Sequence, residues 1–177
     1  MNMERKNGVN RASQGGFSLI ELMIVLALGA VILFAAIGNY GSTNSQAQTD
    51  AEVRALNTLI PLVKQTFGSA QGNYTGLSNA IMLRAANFPD TMKSPLGTPN
   101  IRHSWEDDGI DLDASGANDE FFTITYKDVP TGSCQDVLTR VYKFFIEVTV
   151  GGVTVTNIGE ISDECEKGPA PIVMRTR

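Results

Sequence analysis

The chain has 177 residues, enough for one domain of ordinary size and a separate N-terminal segment. With 42% hydrophobic and 19% charged residues it is not a disordered chain. The net charge of -5 is unevenly spread: Arg5, Lys6 and Arg11 against Glu4 give residues 1–16 a side-chain charge of +2, and the remaining 161 residues carry -7. An acidic body excludes a surface that tracks phosphates, so no nucleic-acid partner is expected.

Residues 17–37 read FSLIELMIVLALGAVILFAAI. A helix of about 20 apolar residues spans a bilayer, and a basic tip before it points to the cytoplasmic side. The run exceeds the 7–15 residue core of a secretory signal peptide, and no small-x-small cleavage site with a polar exit follows directly. Its one charge is Glu21. A carboxylate at the edge of an apolar core costs on the order of 2–3 kcal/mol and is usually paired. No Lys or Arg stands within the run, so the partner comes from elsewhere or is created. Cutting between Gly16 and Phe17 creates one. Two glycines, Gly15 and Gly16, let the backbone lie close to a protease, and cleavage leaves a free amine on Phe17. That amine neutralises Glu21, most usefully the Glu21 of an adjacent copy, and so sets the stagger between copies.

The stretch GGFSLIELMIVLALGAVILFAAI resembles the N-terminus of type IV prepilins and type II secretion pseudopilins. The resemblance implies a prepilin peptidase that cuts between Gly16 and Phe17 and N-methylates Phe17. It implies that Glu21 and Phe17 register the subunits during assembly. Gly38 stands where many of these proteins have proline.

Past the apolar run, Val53, Leu56, Ile60, Val63 and Phe67 form a stripe at helical spacing that is read as packing on a head. Thr49 and Glu52 fit a capping box, which places a break in the polar stretch 41–48. Pro61 removes the helix bond to Asn57. A polar spacer is expected over 68–76 and a short helix over 77–87, followed by a proline-marked loop. Residues 120–129 alternate as a strand. Ser133 with Asp136 starts a helix whose buried side is Val137, Leu138, Val141, Phe144 and Phe145. Residues 146–150 and 153–157 around Gly151-Gly152 form a hairpin. The fold class is α+β and pilin-like. A long N-terminal helix, half transmembrane and half amphipathic, packs on an antiparallel head. The expected divisions are a removed leader at 1–16, an assembly helix at 17–40, an amphipathic helix at 41–67 and the head at 68–177.

Cys134 and Cys165 are too few for a zinc site beside a single histidine, His103. In an exported body an intramolecular disulfide is the simplest reading, with two buried thiols as the other. The head also resembles type IVb pilins of the PilS-like kind, through NYTGLSNAIMLRAANFPDTM, the segment around Trp105 and DVPTGSCQDVL. In such heads the two cysteines bracket a surface region near the C-terminus, and Cys134 and Cys165 match them.

Asp111, Asp113 and Ser115 match the opening of a calcium loop, with Asp119 nearby, but Phe122 stands where the bidentate acid belongs. They are weak calcium candidates, and a solvated acidic loop is the preferred reading. His103 is read as structural. No nucleophile–His–acid set, phosphate loop or dinucleotide fingerprint occurs, so neither an enzyme nor a cofactor is expected. The resemblance implies a pilus subunit that sits in the inner membrane with its head in the periplasm. It is then polymerised by the assembly machinery into an extracellular filament of like subunits, for adhesion, aggregation, motility or conjugation. The alternatives are a pseudopilin or minor pilin, and a membrane-anchored periplasmic module or enzyme.

Overall fold

The computed structural model describes residues 18–68, 73–85 and 87–177, and the side chains of these residues except at 31–44 and 68. The chain divides into two compact units, residues 1–42 and 43–177. Helix α1 covers Leu19–Val63. Residues 41–48 are helical, so the expected break is not there. Thr49 and Glu52 therefore lie inside a helix and form no capping box. Pro61, which has no N–H to give Asn57, is carried within α1, and the helix then widens into a π turn at Lys64–Gly68. The expected spacer at 68–76 falls partly outside the described residues.

The second unit is built on five antiparallel strands: β1 (Ile110–Ser115), β2 (Phe121–Val129), β3 (Glu147–Val150), β4 (Val153–Val155) and β5 (Ala170–Thr176), in the order β1-β2-β5-β3-β4. The alternation Phe122, Ile124, Tyr126 turns one face of β2 into the core, and Ile172, Met174 and Thr176 do the same for β5. Gly151 and Gly152 both have positive φ, 56° and 87°, the requirement of the tight turn that joins β3 to β4. Helices α2 (Asn79–Met82), α3 (Thr131–Val141) and α4 (Ile158–Cys165) complete the unit. Asn157 caps α4 by accepting from the N–H of Glu160, while Glu160 accepts from that of Thr156.

The buried face of α1 is Leu56, Leu59, Leu62 and Val63, with Val53, Ile60 and Phe67 only partly covered. It is rotated from the expected stripe because Glu52 turns inward. Its Oε1 accepts from the N–H and hydroxyl of Ser104 at 2.7 and 2.6 Å, and its Oε2 accepts from the Tyr126 hydroxyl at 3.2 Å. A buried carboxylate is tolerable only with such donors. Burial and the neighbouring charge of Glu52 push the Tyr126 phenol far above its usual range. Phe144 is 70% exposed, against the expectation that it is buried. Helix α3 stops at Val141, and residues 142–144 tighten into a 3₁₀ turn, which rotates Phe144 outward while Phe145 stays in.

His103 is buried and stacks on Tyr126, with centroids 5.2 Å apart and planes 2° apart. Its Nε2 faces the Lys127 carbonyl at 2.8 Å, and its Nδ1 faces the N–H groups of Trp105 and Glu106 at 3.1 and 3.0 Å. A carbonyl only accepts and an N–H only donates, so the ring is neutral with its proton on Nε2. Gly109 leaves room for it: a Cβ there would collide with the His103 ring. Beside this cluster, Trp105 Nε1 donates to Gln48 of α1 at 3.1 Å.

Cys134 and Cys165 form a disulfide with Cα atoms 5.8 Å apart, joining α3 to α4, and both are buried. The disulfide closes a separation of 31 residues. Chain-entropy arithmetic gives it roughly 3–4 kcal/mol. Replacing both cysteines by serine is predicted to lower unfolding free energy by about that amount, read by denaturant titration of the full chain. A loss under about 1 kcal/mol contradicts this role.

The buried, neutral His103 has its pKa lowered, chiefly by burial, although the Lys127 carbonyl and the charges of Glu52, Glu106 and Asp128 oppose the shift. A depressed folded-state value means that the unfolded chain takes up the proton first. Stability is therefore full above about pH 6.5 and falls as pH drops below it. His103 is the only histidine in the chain, and histidine is the residue type whose ordinary pKa lies in the window from about pH 7.5 to 5.5. The melting temperature should drop across that window in the native chain and stay flat in His103→Gln.

Candidate functional site: the N-terminal helix and its first turn

The first described turn of α1 explains its own start. Ser18 precedes the helix, and its Oγ accepts from the N–H of Ile20 at 3.3 Å. The carboxylate of Glu21 reaches back to accept from the N–H of Ser18 at 3.0 Å. Ser18 thus caps the N–H of the second helical residue and Glu21 caps that of Ser18, a variant of the Ser-x-x-Glu capping box in which the serine bond goes to Ile20 and not to Glu21, and a negative charge at a helix N-terminus also complements the helix dipole. Glu21 is solvent-exposed in the single chain. Gly16 and Phe17, the expected cleavage and methylation positions, lie outside the described residues, as does the leader.

The side chains that follow are apolar all round the helix. Leu19, Ile20, Leu22, Met23, Ile24, Val25, Leu26 and Leu28 are between 54% and 76% exposed. A helix without a polar face needs cover from lipid or from other helices. Among the described residues no helix is long and apolar enough to cross a membrane. Residue 17 and the side chains of 31–37, part of the expected spanning run, lie outside that set.

The other sequence candidates separate. Asp111 and Asp113 lie on β1 rather than in a loop, and Ser115 ends that strand. Asp111 is paired with Lys127 Nζ at 2.9 Å, which also reaches Asp108 at 3.3 Å. Asp119 is in the turn to β2 and accepts from the Thr75 hydroxyl at 2.7 Å. Among the described residues no group of three or more His, Cys, Asp or Glu side chains is placed to hold a metal ion. His103 is spent on the structural contacts above. The cap made by Ser18 and Glu21 had its signal in Ser-x-x-Glu at the head of an apolar run but is not among the sequence expectations, and the pairing of Glu52 with Ser104 left no local signal, because the two are far apart along the chain.

Residues 46–176 match the family described as PilS N terminal, and residues 11–37 match the prokaryotic N-terminal methylation motif. No curated protein matches the chain. Among solved structures, the fold is similar to that of TcpA, a type IV pilin from Vibrio cholerae El Tor biotype. The TM-score is 0.50 at 16% identity, covering 73% of this chain and 99% of that one. The α1 helix packed against a five-stranded antiparallel sheet is thus a pilin-like fold, and family and fold are structural rather than enzymatic. With one family match spanning most of the chain and the methylation motif ahead of it, the chain belongs to the PilS family and is a type IV pilin-like structural subunit.

Proposed function

We propose that this chain is a pilus subunit that is cut between Gly16 and Phe17, N-methylated on Phe17 by a prepilin peptidase, and polymerised into an extracellular filament. The observation that carries the reading is the union, on one chain, of a methylation motif at 11–37 with a PilS match at 46–176. Before assembly the apolar half of α1 is held in the inner membrane with the leader in the cytoplasm and the head in the periplasm. The assembly machinery then moves it from lipid into a bundle of identical helices. Adhesion, aggregation, motility and conjugation are the uses such a filament serves.

Glu21 has a defined part in this transfer. In the single chain its carboxylate is bound to the N–H of Ser18, one residue from the new N-terminus. Water no longer solvates it once helices pack around it. A positive amine on Phe17 of a neighbouring copy then replaces water as its partner, because an ion pair in a dry site is far stronger than one in solvent. Copies out of register leave both charges unpaired, a cost of several kcal/mol that selects a single stagger.

The Glu21→Ala variant is therefore predicted to accumulate in the membrane and to give filament yields at least tenfold lower, which corresponds to about 1.4 kcal/mol of lost assembly free energy. Yield is read by shearing cells and quantifying the released subunit. Wild-type yield from this variant rejects the registering role. Wild-type protein that stays in the envelope and never enters the sheared fraction supports the pseudopilin or minor-pilin reading instead.

A further inference from the structure

Strand β5 follows every other strand and helix of the head in chain order, yet it lies in the middle of the sheet, between β2 and β3. Those two strands do not pair with each other. Without β5 the sheet is two separate hairpins, β1-β2 and β3-β4, and a lone hairpin is marginally stable in water. Both neighbours run antiparallel to β5, so together they form a slot with a row of N–H and C=O groups along each side. The β3 side of this ladder runs one residue past each end of the strand. The N–H of Ile146 donates to the Arg175 carbonyl at 2.9 Å, and that of Gly151 donates to the Pro171 carbonyl at 2.9 Å.

The slot also has a defined register. On its buried face Met174 sits between Ile124 and Val148, and Ile172 sits between Tyr126 and Val150, all of them buried. On the other face Arg175 lies between Thr123 and Glu147. It is paired with Glu147 at 2.8 Å, and its guanidinium stands over the Phe121 ring at 5.4 Å. A slip of one residue would carry Arg175 into the core and put Ile172 and Met174 outside. The ligand such a slot takes is an extended segment with two alternate apolar side chains inward and a cation on the outer face beside the second.

The covalent tie between β5 and the rest is short. Residues 166–169 connect it to α4; Glu166, Lys167 and Pro169 are exposed, and Pro169 has no N–H to extend the ladder. Helix α4 ends at Cys165, which the disulfide holds to Cys134 on α3. Both cysteines precede β5, so the disulfide can form while the slot is still open.

We infer that β5 is a separable strap, and that the slot between β2 and β3 is a binding site for residues 170–176, whether the same chain or another molecule supplies them. A chain that stops before these residues has every other element of the head and no means of joining its two hairpins. Completion of the head thereby reports that the chain has been made through residue 176. The inference concerns the head alone and does not rest on the polymer reading.

The test cuts the tie and asks what the slot will hold. A site-specific protease sequence is placed within residues 166–169 of the full chain, which is folded in detergent, oxidised and cut there. The severed strand is then released in denaturant and replaced, on return to buffer, by a labelled peptide of residues 170–177. The peptide should bind one per head and restore the resistance of the head to proteolysis. The same peptide carrying Ile172→Asp and Met174→Asp should bind about a hundredfold more weakly, because it sets two charges against an apolar floor. A native peptide that does not rejoin overturns the inference. So does a charged peptide that binds equally well, or a head that stays resistant with the slot empty. Where the inserted sequence keeps the chain from folding, the full chain carrying Met174→Asp decides the matter. Its own strap cannot close, so its head should be protease-sensitive alone and resistant once the native peptide is added. Resistance without the peptide, or none with it, overturns the strap.

Discussion

An apolar helix surface left without cover is the constraint on which the rest depends. Eight large side chains between Leu19 and Leu28 are mostly exposed in the single chain. Burying one such side chain is worth about 1.5–3 kcal/mol, so leaving eight in water forgoes at least roughly 10 kcal/mol. That is comparable to the whole stability of an ordinary domain. The segment is therefore made for an environment supplied from outside, either lipid or copies of itself. Its cap lets the helix begin immediately at Leu19 without spending any of those apolar residues on a turn.

A chain whose first 42 residues form a separate unit must fold its head without them. The head does so on one short piece of α1, where Leu56, Leu59, Leu62 and Val63 meet the sheet. That small apolar face is supplemented by directional bonds. Glu52 joins α1 both to the loop at Ser104 and to the strand at Tyr126, and His103 fixes the same loop against β2 through the Lys127 carbonyl. At the other side the Cys134–Cys165 disulfide holds α3 and α4 together where no long strand does so. For the proposed transfer from lipid into a polymer, this arrangement means that the head is complete before the helix finds a final partner.

Much of this was legible in the sequence, and the misses have physical reasons. The apolar run, the β2 alternation and the Gly151-Gly152 hairpin were readable because each rests on local periodicity or on backbone freedom. The disulfide was readable from the count of cysteines. Strand β1 was hidden because Asp111 and Asp113 alternate with buried Ile110 and Leu112, so an alternating edge strand looked like an acidic loop. Strand β5 and helix α4 went unassigned, although Asn157 with Glu160 carried the cap that starts α4. Phe144 was misplaced because a stripe read at 3.6 residues per turn fails once the helix tightens to three. Glu52 defeated the capping-box reading because its partners are 52 and 74 residues away, and only tertiary structure brings them together.

The central claim is that the apolar half of α1 is exposed so that identical copies can bury it once the leader is gone. Mass spectrometry of subunits sheared from the cell surface tests this most directly. The account predicts a chain that starts at Phe17, carries one methyl group on its amine, and shows a mass reduced by the disulfide's two hydrogens. A surface polymer whose subunits still begin at Met1 would contradict it.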